Sequence, residues 1–175
     1  IVNLFLKKKL HFNSERSIEN VEKKYDNIAG MYVDLFNKQY KFKGFNHFEN
    51  RVYDITGRTI DHPANIINKF CENFKLKSII EIGAGELTTL LPIVQKTKSL
   101  NFKAALDLSF ERLKVGNNFF KKNNEKLNQI VCCDASNIPY KDNSFDLVFT
   151  HYCIEQVPSI AKKIIDEMIR VSSKF

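Results

Sequence analysis

Ser78-Ile79-Ile80-Glu81-Ile82-Gly83-Ala84-Gly85-Glu86-Leu87-Thr88-Thr89-Leu90 is the stretch that decides the fold. A short β-branched run leads into Glu81, two glycines follow one residue apart, and the chain then turns toward a helix. Strand, tight turn and helix start in that order are the element from which nucleotide-binding α/β folds are built. Glycines at 83 and 85 allow a sharp turn and a close approach of backbone to a ligand, while the free N–H groups of the following helix face the same place.

Outward from this element the pattern repeats. Lys77 to Gly83 reads as the first strand of the main sheet, and Leu87 to Lys96 as its helix, with Pro92 either kinking it or sitting in its first turn. Phe102 to Leu106 is a second strand ending at Asp107, and Ser109 caps a helix running to about Asn123 with Phe110, Leu113, Val115 and Phe119 to pack. Gln129 to Cys133 is a third strand ending at Asp134, and Phe145 to Thr150 a fourth. Ser159 opens a last helix whose apolar face is Ile160, Ile164, Ile165, Met168 and Ile169. Strands alternating with helices imply a Rossmann-like, doubly wound parallel sheet of about four strands.

Before the sheet, Ser17 to Phe36 carries apolar residues at spacings of three and four, an amphipathic helical period broken near Gly30. Lys38 to Gly57 is aromatic and polar without period and reads as loop, with Phe42, Phe45, Phe48 and Tyr53 as packing anchors. Asp61-His62-Pro63 starts a helix that ends near Asn73. Residues 1–16 carry no usable pattern. The expected organisation is a helical cap or lid over residues 1–75 and a ligand-binding core over residues 76–175.

The chain has 175 residues, 43% of them hydrophobic, enough for one domain with a true core. Its net charge is +7 and its pI about 9.2, but the lysines are scattered along solvated helix faces, which argues against a dedicated nucleic-acid surface. Cys71, Cys132, Cys133 and Cys153 show no C-x-x-C spacing and no paired histidines, so they read as reduced core residues of a cytoplasmic protein without a metal site. No apolar run reaches the roughly 18 residues that a membrane span needs. The first residue is isoleucine, and we expect the chain to be a fragment.

Glu81, Asp107 and Asp134 stand at or near the carboxyl ends of three successive predicted strands. In an open α/β sheet those ends border the ligand crevice, beside the point where strand order reverses. A carboxylate ending the second strand suits the two hydroxyls of a ribose, because it accepts both hydrogen bonds while ionised, and Asp134 is placed to accept from an adenine amino group. Any one of the three acids could instead be a helix cap.

Three blocks carry a family resemblance: Ser78 to Leu90, Ala104 to Leu113, and Val131 to Val157 with its Asp134-Ala135, Ile138-Pro139-Tyr140 and Ser144-Phe145-Asp146-Leu147-Val148. They resemble the successive motifs of class I S-adenosylmethionine-dependent methyltransferases, nearest to the small-molecule branch that includes the ubiquinone and menaquinone biosynthesis C-methyltransferases. Tyr25-Asp26-Asn27-Ile28-Ala29 with Tyr32 is similar to the aromatic segment that such enzymes place as a lid over the cofactor. The resemblance implies S-adenosylmethionine as cofactor and a small-molecule acceptor. It puts Glu81, Gly83, Ala84 and Gly85 around the methionine portion and ribose, Asp107 on the ribose hydroxyls, Leu108 on the adenine, Asp134 with Ala135 at the adenine edge, and Tyr25 in the lid. Thr150 and His151 would lie near the sulfonium methyl, with His151 as the candidate base ahead of His62 and His47.

The chain departs from the family at Leu87, where a third glycine is usual, and at Gln156, where many relatives have histidine. The family also continues into a Gly-Gly turn and further strands, so we expect an exposed sheet edge beside the fourth strand and weak stability. The turn after that strand, His151-Tyr152-Cys153-Ile154, lacks the Pro-Pro-aromatic pattern of planar-amine methylation. Two other readings stay open: a non-catalytic binding or scaffold module of the same fold, perhaps RNA-associated, and a nicotinamide-dependent oxidoreductase.

Overall fold

The computed structural model describes residues 18–41, 51–53, 59–61 and 63–175. The elements are α1 (Ile18–Asp26), α2 (Met31–Lys41), β1 (Arg51–Tyr53), β2 (Thr59–Asp61), α3 (Pro63–Asn73), β3 (Ser78–Ile82), α4 (Leu90–Lys96), β4 (Phe102–Asp107), α5 (Phe110–Lys122), β5 (Gln129–Cys132), β6 (Leu147–Thr150), a 3-10 turn (Ile154–Gln156) and α6 (Ala161–Val171). Residues 1–17, Phe42, Phe45, Phe48, His47 and His62, for which packing or base roles were expected, lie outside the described residues.

The main sheet is parallel with order β5-β4-β3-β6. The chain therefore steps outward from β3 through β4 to β5, then crosses back to the free side of β3. That reversal sets the ligand crevice at the carboxyl ends of the strands.

Side chains alternate between two buried faces, which is why each strand reads as a β-branched or apolar run rather than a polar-apolar alternation. Ile79, Ala105 and Leu147 join Leu87, Leu91, Leu113, Phe119 and Phe120 in a core under α3, α4 and α5. Ile80, Ile82, Ala104, Leu106 and Val148 join Ile138, Phe145, Ile164 and Val171 on the opposite face, under α6. Helices on both faces make the sheet doubly wound, as expected.

Several boundaries differ from the sequence reading. The helical period over Ser17 to Phe36 breaks at Gly30, with φ +101°, as read, but the second helix runs on to Lys41 into the stretch read as loop. Arg51–Tyr53 pairs antiparallel with Thr59–Asp61, a short ribbon that the aromatic composition concealed. Helix α4 begins at Leu90 rather than Leu87, because Leu87 takes φ +62°, and Pro92 falls in the first turn. Helix α6 begins at Ala161, and its N-terminal residue makes no side-chain cap.

Burial differs as well. Phe110 is 59% exposed, and Ile165 and Ile169 point out of the core into an apolar groove with Val148, Ile154, Met168 and Phe175. Of the four cysteines only Cys71 is buried, and Cys132 is exposed.

The edge beside β6 is not bare. Phe145 bridges Ser172 in parallel, and the amides and carbonyls of Phe145, Asp146 and Val148 exchange hydrogen bonds with Val171, Ser173 and Phe175. The last residues of the chain thus cover the first part of that edge, which corrects the expectation of an open one.

Candidate functional site

The turn after β3 is held by its own backbone. Gly83 and Gly85 have φ of +70° and +51°, a region that costs an L side chain about 1–2 kcal/mol. The Ala84 amide donates to Leu106 O at 3.0 Å. The Gly85 amide donates to Asp107 Oδ2 at 2.7 Å, and the Ser109 amide to Asp107 Oδ1 at 2.8 Å. One carboxylate at the end of β4 therefore fixes both the glycine turn and the entry into α5, where Ser109 Oγ accepts from the Arg112 amide as N-cap.

The two glycines admit protein side chains. A Cβ on Gly83 would lie 2.4 Å from Cys153 Sγ, and one on Gly85 would lie 2.2 Å from an Arg112 guanidinium nitrogen. Leu87 keeps the left-handed conformation where a third glycine is usual. Its side chain is fully buried against Gly116 of α5, where a Cβ would approach Leu87 Cγ to 2.6 Å.

A crevice partly open to solvent lies at the carboxyl ends of β3, β4 and β5. Its lining brings together Tyr25, Gly83, Asp107, Leu108, Asp134 and Ala135, with Ile18, Val21 and Glu22 of α1 along one side and Cys153, Gln156, Val157 and Ile160 along another. Asp134 is set by Ser136, whose amide and hydroxyl donate to its two oxygens, each at 2.8 Å.

The other expected site residues sit off the lining. Ala84 and Gly85 are buried within the turn, and Thr150 ends β6 beside the Cys153 thiol. His151 Nδ1 lies 3.2 Å from Thr89 Oγ1, and its ring stacks against Tyr152 at 4.2 Å. Partial burial lowers the His151 pKa, opposed by Glu155, so the imidazole is neutral at pH 7.

Glu81 is 1% exposed and its Oε2 has no hydrogen-bond partner among the described residues. Burial raises its pKa well above the carboxylate range, reinforced by Asp107 and opposed by Arg112 and the Leu90 amide. The Cys153 thiol is pushed up to about 11, by burial first and then by Asp107, so it is protonated at neutral pH and is no nucleophile.

Sequence reading missed two residues that organise the site. Glu86 is 1% exposed and accepts from the Gly30 amide at 3.0 Å and the Val33 amide at 2.7 Å, capping the N-terminus of α2 with a buried carboxylate. Arg112 projects from the first turn of α5 between Tyr25 and Tyr32, its guanidinium carbon 4.9 and 4.8 Å from the two ring centroids. Ser109 Oγ also donates to Asp26 Oδ1. Together these contacts fasten α1 and α2 to the glycine turn and the start of α5. The one sequence signal was a charged Glu86 inside an otherwise apolar run.

Among curated relatives, the norajmaline N-methyltransferase of Rauvolfia serpentina is 36% identical over 119 residues, which are 66% of this chain and 39% of that enzyme. The chain thus spans well under two thirds of the relative's length. Among solved structures, the YcgJ protein of Bacillus subtilis superposes with a TM-score of 0.53 at 20% identity, covering 62% of this chain and 45% of that one. The [4+2]-cyclase SpnF superposes with a TM-score of 0.63 at 16% identity over 89% of this chain and 56% of the other. These likenesses establish the fold, and the cyclase's name shows that the fold alone does not fix the chemistry. The family described as a methyltransferase domain matches residues 80–174, more than half of the sequence, and the chain belongs to it as a class I S-adenosylmethionine-dependent methyltransferase.

Proposed function

We propose that the protein methylates a small-molecule or lipid-like acceptor, at carbon, oxygen or nitrogen, with S-adenosylmethionine as donor. The observation that carries this is the convergence of Asp107, Leu108, Asp134 and Ala135 with Gly83 on one crevice roofed by Tyr25. The small-molecule acceptor is supported by the relative's name, norajmaline N-methyltransferase.

The donor set suits the cofactor. Each Asp107 oxygen accepts one backbone N–H and keeps acceptor capacity for a ribose hydroxyl. Leu108 gives an apolar platform for the adenine, and Asp134 with Ala135 meets its edge. Glu81, Gly83, Ala84 and Gly85 surround the methionine portion. Burial favours the neutral form of Glu81, and a neighbouring cation such as an ammonium or sulfonium would favour its ionised form.

Bound S-adenosylmethionine supplies an electrophilic methyl on a sulfonium, so the protein's tasks are orientation, exclusion of water and removal of a proton where the acceptor carries one. Tyr25, on a lid formed by α1 and α2, covers the crevice. Thr150, at the end of β6 and off the crevice lining, would lie on the side of the methyl. His151 is the candidate base: in the tautomer whose Nδ1–H donates to Thr89 Oγ1, Nε2 keeps a lone pair. We place the protein in the cytoplasm, supported by its free cysteines.

Calorimetric titration with S-adenosylmethionine and S-adenosylhomocysteine tests the reading. The wild type is expected to bind both, and Asp107→Ala to weaken them by about 10–100-fold, the effect of losing hydrogen bonds to a charged acceptor. A wild type that binds neither would sink it.

A further inference from the structure

The crevice is acidic. Glu22, Asp107 and Asp134 line it and Glu81 lies behind, while Arg112 is the one cationic side chain among its described lining residues. The Arg112 side chain is 12% exposed and its Nε is buried without a hydrogen-bond partner. The nearest acid, Glu86, is 3.8 Å from Nε, too far for a hydrogen bond, and its oxygens already serve the Gly30 and Val33 amides. Among the described residues, then, this nearly buried guanidinium makes no hydrogen bond.

Its surroundings define how a partner must approach. The Tyr25 and Tyr32 ring centroids lie 4.9 and 4.8 Å from the guanidinium carbon, cation–π contacts that use none of its N–H groups. The guanidinium packs on Gly85, where a Cβ would lie 2.2 Å from a terminal nitrogen and 2.4 Å from Cζ. Its N–H fork is thereby kept for the bidentate geometry of a carboxylate. A carboxylate brought to the glycine turn would otherwise meet only Glu81 and Asp107, both repulsive when ionised.

We propose that Arg112 is the anchor for the carboxylate of the cofactor's methionine portion, oriented for that task by the Tyr25 and Tyr32 rings. This rests on the assignment of the crevice to S-adenosylmethionine.

The test compares two probes that differ only in the carboxylate: S-adenosylhomocysteine and its decarboxylated analogue, S-adenosyl-3-thiopropylamine. Each is titrated by calorimetry into wild type, Arg112→Met and Arg112→Lys. Wild type is expected to prefer S-adenosylhomocysteine by about 10–100-fold, as charge-assisted hydrogen bonds imply. Arg112→Met should erase that preference by weakening S-adenosylhomocysteine alone, and Arg112→Lys should keep part of it. Equal weakening of both probes, or an unchanged preference in the variants, overturns the anchor while leaving the crevice assignment intact. Absence of wild-type binding to either probe overturns both. If Arg112→Met does not fold, the wild-type preference and Arg112→Lys decide the matter.

Discussion

Arg112 and Arg170 are two helix arginines in opposite circumstances. Arg170 donates through Nε and one terminal nitrogen to both oxygens of Glu167 at 2.7 Å, and to Asp142, Tyr140 O and Ile138 O at 2.8, 2.8 and 2.9 Å. Glu167 in turn accepts from the Ile138 amide at 2.7 Å, and Arg170 beside it holds its carboxyl down at about 2. This saturated arginine ties the loop after β5 to α6. Arg112 is better buried, yet among the described residues its guanidinium makes no hydrogen bond and is held by contact with two aromatic rings. A satisfied arginine stiffens a scaffold, whereas a stacked, unsatisfied one is held ready for something absent from the fold.

The contrast can be broken in order of effect. Glu86→Ala leaves the Gly30 and Val33 amides without their acceptor and should cost about 2–3 kcal/mol. Hydrogen exchange should speed up in α1 and α2 and not in β3 or β4. Equal acceleration in the sheet would mean that Glu86 supports the whole core rather than the junction beside Arg112.

Arg170→Met removes bonds that are mostly half-buried, where water can take up part of what is lost, so the melting temperature should fall by about 2–4 °C. Calorimetric affinity for S-adenosylhomocysteine should not change. If affinity dropped along with stability, the division between a scaffold arginine and a ligand arginine would fail.

Glu81→Gln is the smallest and turns on pH. Because the folded pKa of Glu81 is raised above its unfolded value, the wild type loses stability as pH rises from the unfolded pKa through the folded one. Thermal melts of the unliganded variant should lose that slope and run above the wild type at pH 7. A parallel pH profile in both proteins would show that Glu81 is already ionised beside Arg112.

The parallel strands were legible because burial on both faces demands unbroken apolar runs such as Ile79-Ile80 and Ala104-Ala105-Leu106, each ended by an acid. Pro63 and Ser109 marked helix starts for local steric and hydrogen-bonding reasons, and the structure puts both at those places. Leu87 was misread because helical periodicity cannot reveal a positive φ held by packing against Gly116. Ile165 and Ile169 fit an apolar stripe whose partner surface the stripe itself does not specify.

In the site, Asp107 and Asp134 could be located from strand ends and Leu108 and Ala135 from the family resemblance, and all four line the crevice. Glu86 and Arg112 could not. The bonds from Gly30 and Val33 to Glu86 span more than fifty residues, and the stacking of Arg112 joins three separate helices. Thr150 and His151 stand at the end of β6 but outside the crevice lining, which the chain joins at Tyr152 and Cys153.

The pairing of Asp107 with the Gly85 and Ser109 amides bears on timing. A turn that already holds its bonded shape has no disorder to lose when a ligand arrives, so capture should follow a single exponential with no slow ordering phase. On one side the crevice is lined by Ile18, Val21 and Tyr25 of α1, the helix proposed as its lid. Departure of the spent cofactor would then be set by how often that helix lifts, and stopped-flow dissociation should track the hydrogen exchange of α1 rather than that of the glycine turn.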